Sequence, residues 1–115
     1  MELREDLVGE VMVLAVTGRI DSTTASTLNE RLANAQGALR NRLVLDLGQV
    51  DYISSAGFRI LMITAKRIQN ANGRLALCGL SAELRRLFDI AELTDFFTIL
   101  SSRQEALRSI ENFRG

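Results

Sequence analysis

Residues 43–57 encode the junction on which the fold depends, and they read Leu-Val-Leu-Asp-Leu-Gly-Gln-Val-Asp-Tyr-Ile-Ser-Ser-Ala-Gly. The apolar run at 43–47 predicts a buried strand, and residues 50–53 either extend this strand or form a turn. Beyond the double serine, apolar residues recur at helical spacing, at Phe58, Leu61, Met62, Ala65 and Ile68. The sequence therefore predicts a strand followed by a helix that begins near Ala56 and is closed by Asn72 and Gly73.

Four further segments have the character of strands. Short apolar runs at 11–17, 74–78 and 96–100 predict buried strands. The more polar residues 2–7 predict an edge strand, paired with 11–17 in a hairpin that turns near Gly9.

Three further helices follow capping residues. Asp21 precedes the first, for which Gly37 is the expected stop, and Ser81 precedes a short one. Ser102 precedes the last, with Glu105 at the spacing of a capping box. The expected apolar faces are Ala25, Leu28, Leu32 and Ala35; Leu84, Leu87 and Phe88; and Ala106, Ile110 and Phe113. We therefore predict one α/β domain over residues 1–115, with a mixed, mainly parallel sheet of about five strands and four helices.

The composition excludes several classes of protein. The 115 residues carry 14 Lys and Arg against 14 Asp and Glu, so a broad basic surface for nucleic acid is not expected. The absence of histidine excludes a Ser-His-Asp triad and His-ligated metal sites. The lone Cys78 lies in an apolar run, which indicates a buried, inert thiol and no disulfide within the chain. Because no apolar run could span a bilayer and no signal segment opens the chain, we expect a cytoplasmic protein without direct membrane insertion.

Candidate catalytic groups are few. The segment near Gly57 matches neither of the glycine-rich phosphate-binding motifs, so no nucleotide cofactor is indicated. Asp46 and Asp51 could form an acid–base pair, although Asp51 is more typical of a turn. A nucleophilic Ser55 would need a base, and the only lysine, Lys66, lies about 16 Å further along the same helix. We predict no enzymatic activity, no metal and no cofactor.

The double serine at 54 and 55 admits two interpretations. A serine at the start of a helix commonly caps it, because its hydroxyl accepts a hydrogen bond from a free N–H of the first turn. One serine can cap while its neighbour points outward, where another protein can reach it. Asp21 admits the same two interpretations, as the cap of the first helix or as an acid at the same rim of the sheet.

Residues 50–57 (Val-Asp-Tyr-Ile-Ser-Ser-Ala-Gly) resemble the signature of bacterial anti-sigma factor antagonists, the STAS domains of the sporulation and general-stress type. Residues 16–21 resemble the first strand-to-helix turn of the family, and 43–47 resemble the strand before the signature. Residues 87–93 resemble the helix and turn before its last strand. The resemblance thus covers nearly the whole chain, and it implies the STAS fold.

The resemblance also implies a function. Members of this type bind an anti-sigma factor that is also a serine kinase, which releases a sigma factor and so regulates transcription. The kinase phosphorylates one serine of the signature, the complex separates, and a metal-dependent serine phosphatase resets the switch. By position, the phosphorylated residue is Ser55, and Asp21 lies beside its loop. Many members carry Asp at the position of Ser54 and Gly at that of Glu92.

Three neighbours of Ser55 are expected to support this switch. Ser54 is a competing phosphate acceptor, and Gly57 is needed where the helix start passes close to neighbouring backbone. Arg59 should be exposed on the helix and able to touch a partner, whereas Phe58 and Met62 are more typical of a core. Since no coiled-coil spacing occurs, we expect a monomer. The alternative function is a constitutive STAS subunit of a membrane-associated transport complex or a stress-signalling assembly, in which Ser55 does not cycle.

Overall fold

A five-stranded sheet forms the centre of the protein. The structure is a computed structural model that describes residues 1–39 and 42–111, the side chains of 35–39 excepted. The strands are β1 (Glu2–Val8), β2 (Val11–Ile20), β3 (Arg42–Ile53), β4 (Arg74–Cys78) and β5 (Ile99–Leu100), and their order in the sheet is the order in the chain. Only β1 runs antiparallel to its neighbour, so the sheet is mixed and mainly parallel, as predicted.

In the described part of the chain, four helices connect and cover the strands: α1 (Ala25–Leu39), α2 (Ser55–Asn70), α3 (Ala82–Ile90) and α4 (Arg103–Glu111). The apolar faces of α1, α2 and α3 pack on one side of the sheet, against residues such as Leu14, Leu45 and Leu77. The opposite side holds a smaller core, in which α4 packs on Val13, Val44 and Cys78. Each fully buried aliphatic side chain contributes about 1.5–3 kcal/mol. Within the described residues, no helix combines the length and the apolar character needed to cross a bilayer.

The long middle strand places the serine junction at one edge of the sheet. Residues 50–53 continue β3, which resolves the choice between strand and turn. Ile53, the last residue of β3, pairs in register with Ile20, the last residue of β2. The ends of two neighbouring parallel strands therefore lie side by side, which is where sites gather in sheets of this type.

Helices α2 and α3 end in the same way. The N–H of Gly73 donates to the carbonyl of Ile68 at 2.8 Å, and the N–H of Leu93 donates to that of Phe88 at 2.9 Å. Both are the six-to-one bond of a Schellman motif, whose preceding residue takes a left-handed conformation. That residue is Asn72 in α2, with φ of 59°, and Glu92 in α3, with φ of 60°.

Two details differ from the sequence-based predictions. Helix α1 continues past Gly37 to Leu39, because an interior glycine costs only about 1 kcal/mol and does not by itself end a helix. Strand β5 comprises Ile99–Leu100 and not 96–100, since Phe97 is buried in a turn by ring contacts and does not pair in the sheet. The expected apolar residue Phe113 lies outside the described residues.

Candidate functional site

The corner between β3 and α2 is fixed by a bond across the sheet. The backbone N–H of Ser54 donates to the carbonyl of Ile20 at 2.8 Å, so the start of α2 is attached to the end of β2. Because Asp21 follows Ile20 directly, the structure brings Asp21, Ser54 and Ser55 to one edge of the sheet. This is the juxtaposition that the sequence predicted.

Ser54 is the cap of α2. Its backbone is extended, with φ of −83° and ψ of 173°, and its hydroxyl oxygen accepts a hydrogen bond from the N–H of Gly57 at 3.3 Å. The side chain is half-buried. The capping interpretation of the double serine therefore applies to Ser54.

Ser55 is the first residue of α2, one position later than the cap and one earlier than the predicted start at Ala56. It is exposed, and its hydroxyl makes no hydrogen bond with any residue that the structure describes. No acidic residue lies in the first turn of α2. The hydroxyl of Ser55 is therefore available to another molecule, at the helix end where backbone N–H groups favour negative charge.

Asp21 is held in a rigid turn. One of its carboxylate oxygens accepts the N–H groups of Thr23 at 3.0 Å and Thr24 at 3.1 Å, together with the Thr23 hydroxyl at 2.6 Å. The hydroxyl of Thr23, followed by the backbone N–H of Thr24, holds the pKa of the Asp21 carboxyl below its usual value. Asp21 thus caps the turn that leads into α1 and also presents a fixed negative charge at the corner.

Gly57 is the tightest point of the corner. A Cβ at this position would lie 2.7 Å from Cγ2 of Ile20, 2.8 Å from Cγ2 of Ile53 and 3.0 Å from the carbonyl oxygen of Ile20. Real Cβ atoms do not approach this closely, so a side chain here would force α2 away from the strand ends. The start of α2 thus passes close to the Ile20 backbone, as expected, while the supporting role of Gly57 in a switch stays a prediction.

A groove of about 540 Å³ extends from Ser55 along α2 towards the turn after α3. Its walls include Phe58, Met62 and Leu93, and two cations, Arg59 and Lys66, lie along it. Phe58 and Met62 pack on the main core, as predicted, but they also form part of this open surface. Arg59 is exposed, as predicted.

An ion pair on the other side of the sheet was missed by the sequence analysis. The Arg103 guanidinium donates from Nε and Nη2 to Oδ2 of Asp46 at 3.0 and 2.9 Å, and Oδ1 of Asp46 accepts the N–H of Gly48 at 2.9 Å. Asp46 is thus a structural carboxylate, while Asp51 is exposed on β3. The two partners are 57 residues apart and carry no local signal of their pairing.

Cys78 is fully buried, as predicted. Burial, with a smaller effect of the Asp46 carboxylate, raises the pKa of the Cys78 thiol to about 11. Within the described residues, no group of His, Cys, Asp or Glu side chains is arranged to hold a metal ion. The corner of Ser55 therefore remains the candidate site.

Comparisons with known proteins find a matching family model and relatives of similar sequence. The family model of the STAS domain matches residues 4–106. An anti-sigma factor antagonist of Bordetella bronchiseptica, BtrV, is 35% identical over 92% of this chain and 91% of its own length. The anti-sigma-B factor antagonist of Bacillus subtilis is 37% identical over 73% of this chain and 76% of its own.

Solved structures show the same fold. An anti-sigma factor antagonist of Thermotoga maritima superposes with a TM-score of 0.90 at 18% identity, over 96% of this chain and 95% of its own. An anti-sigma factor antagonist from Mycobacterium paratuberculosis superposes with a TM-score of 0.87 at 23% identity, over 96% of this chain and 94% of its own. At these identities the likeness concerns the fold alone.

Proposed function

The chain belongs to the STAS domain family, and we propose from this premise that it is an anti-sigma factor antagonist switched by phosphorylation of Ser55. Relatives at 35% and 37% identity are named as anti-sigma factor antagonists. The observation that carries the proposal is the exposed, unbonded hydroxyl of Ser55 at the start of α2, beside a capping Ser54 whose hydroxyl is engaged.

In the proposed cycle, the unphosphorylated protein binds an anti-sigma factor with serine kinase activity, and a sigma factor is released. The kinase then transfers the γ-phosphoryl group of ATP to Oγ of Ser55. The bond from Oγ to phosphorus forms, the bond from phosphorus to ADP breaks, and a base of the kinase takes the hydroxyl proton. A serine phosphatase hydrolyses the ester to serine and inorganic phosphate. The protein itself acts as a binding module without catalysis, as a monomer in the cytoplasm.

The fold can accept this modification. A phosphate adds about −1.5 to −2 charges at pH 7, and the positive end of the α2 dipole favours them. The first turn of α2 contains no carboxylate that would repel them. The change should therefore leave α2 in place and alter the surface that the partner meets.

The effect on binding follows from desolvation. A dianion pressed into a protein contact without an opposite charge costs several kcal/mol. Since each 1.4 kcal/mol changes the affinity tenfold, one phosphate is enough to separate a micromolar complex. Asp21, fixed and ionised at the same edge, supplies a second charge for the partner to recognise, and Gly57 allows the corner to form.

The test is phosphorylation by the cognate kinase with ATP, with the phosphate located by mass spectrometry. The kinase is found by a pull-down from the native host with the Ser55→Ala variant as bait, which cannot complete the cycle. The proposal is supported if the phosphate lies on Ser55, both in the native protein and in the Ser54→Ala variant. It is overturned if the phosphate lies on Ser54 and is lost in Ser54→Ala. It is also overturned if Ser55→Asp binds the kinase as tightly as the native protein does, and this result would favour the constitutive subunit.

A further inference from the structure

Arg59 stands four residues after Ser55 in α2. Residues at this spacing are neighbours on one face of a helix, with Cβ atoms about 5–6 Å apart. Long side chains in helices lean towards the N-terminus, so an arginine at position 59 can reach back to a group on residue 55. Both residues line the same groove.

Among the described residues, the guanidinium of Arg59 has no partner. It takes part in no ion pair or hydrogen bond with residues 1–34 or 42–111, and it is exposed. By contrast, Arg19 at the same edge of the sheet has its guanidinium 4.5 Å above the Tyr52 ring and 4.0 Å from the Asp21 carboxylate. Arg59 is therefore the cation next to Ser55 that a phosphate can recruit without breaking another contact.

We propose that Arg59 pairs with the phosphate of phosphorylated Ser55, and that the switch acts by withdrawing this cation from the groove as well as by adding negative charge. The proposal rests on the function proposed above and specifies its regulation. The planar guanidinium can meet two phosphate oxygens at once, which makes arginine well suited to this role.

The second cation of the groove is a poor competitor. Lys66 stands eleven residues after Ser55, about 16 Å along the helix axis, which is beyond the reach of one side chain. None of the described residues that line the groove is acidic, so no carboxylate among them competes with the phosphate for Arg59. Lys66 thus keeps its place when Ser55 is modified, and it provides a matched control.

The consequence concerns the chemistry of the partner. In the unphosphorylated protein the free guanidinium of Arg59 can attract a carboxylate of the partner, beside the apolar wall of Phe58 and Met62. After phosphorylation the same carboxylate loses its cation and faces a dianion. Phosphorylation of Ser55 therefore weakens this contact in two ways, by removing an attractive cation and by adding a repulsive charge.

The pairing is measured through the second pKa of the phosphate, which is about 6 in a free phosphoserine. Phosphoserine is introduced at position 55 during translation, so no kinase is needed, and the phosphate is titrated by ³¹P NMR. Because Arg59 favours the dianion, Arg59→Gln should raise this pKa by about half a unit. Lys66→Gln, which removes the same charge from the same groove, should raise it by less than about 0.2 unit.

Equal shifts in the two variants would overturn the proposal, because they would reflect net charge and not a pair. Arg59→Lys should raise the pKa of the phosphate by less than Arg59→Gln does, because lysine keeps the positive charge but lacks the planar guanidinium that meets two oxygens. Arg59 and Lys66 are both exposed, and thermal melting of each variant checks that the fold is intact. Since the phosphate is installed without the kinase, a negative result here is distinct from a failure of the kinase to modify Ser55.

Discussion

The hydroxyl oxygen of Ser54 accepts the backbone N–H of Gly57 at 3.3 Å, and this bond separates the roles of two adjacent serines. The hydroxyl of Ser54 caps α2, whereas the side chain of the next residue, Ser55, is exposed. A sequence of two identical residues thus contains one structural and one accessible hydroxyl.

Ser54→Ala should lower the free energy of unfolding by about 1 kcal/mol, the usual cost of losing an N-cap. Ser55→Ala should change it by less than about 0.5 kcal/mol, because the Ser55 hydroxyl is exposed and unbonded. Urea unfolding followed by circular dichroism measures both. If the two variants unfold alike, the hydroxyl of Ser54 is not the cap.

Gly57→Ala should lower the free energy of unfolding by about 1–3 kcal/mol, since its methyl group would overlap Ile20 and Ile53. Helix propensity alone predicts the opposite sign, because alanine is favoured over glycine by about 1 kcal/mol within a helix. The sign of the change in urea unfolding therefore shows which effect is larger. A more stable Gly57→Ala would mean that the corner can relax.

Much of this arrangement could be predicted from sequence, because the hydrophobic pattern repeats with the period of each element. The buried strand at 43–47 and the helix after Ser55 are examples, and the spacing of serines and glycines located their ends. The prediction of a strand over 96–100 was wrong at its start, because Phe97 packs on the Phe88 ring outside the sheet and Phe96 stays 41% exposed. An apolar run therefore does not by itself show that each of its residues pairs in a sheet.

Contacts between distant residues had no such signal. The groove beside Ser55 combines residues of α2 with Leu93 after α3, and neither segment contains a pattern that identifies the other. The periodicity of α2 marks Phe58 and Met62 as apolar, but it does not show that α3 leaves part of their surface uncovered. Such surfaces depend on how helices pack, which follows from the assembled fold.

Glu92→Gly should raise the free energy of unfolding by about 1 kcal/mol. Glu92 has φ of 60°, a left-handed conformation that costs a residue with a side chain about 1–2 kcal/mol and costs glycine little. Glu83→Gly, within the first turn of α3, is the matched control and should be destabilising by about 1 kcal/mol. Thermal melting of the two variants should therefore move in opposite directions, and a lower melting temperature for Glu92→Gly contradicts the argument.

Arg103→Gln should lower the free energy of unfolding by about 1 kcal/mol, a modest value because the Arg103 side chain is 40% exposed and that of Asp46 22%. Arg108→Gln changes the same charge on an exposed position of α4 and should have little effect. The difference between the variants should shrink in high salt, which screens the pair. An Arg103→Gln variant as stable as Arg108→Gln would show that the pair contributes nothing to folding.

Cys78 should make stability depend on pH in alkaline solution. Burial favours the neutral thiol and raises its pKa from 9.0 to about 11, so between these values the unfolded chain loses the proton while the folded protein keeps it. The free energy of unfolding should therefore be unaffected by this group below pH 9 and decline towards pH 11, by up to about 3 kcal/mol. Cys78→Ala should remove that part of the decline, so the difference between the two urea-unfolding profiles isolates the thiol.

The reactivity of the thiol gives a second check. At pH 8 the Cys78 thiol of the native protein should react with iodoacetamide at least about 100-fold more slowly than that of the urea-unfolded chain. Equal rates would mean that Cys78 is accessible in the native state.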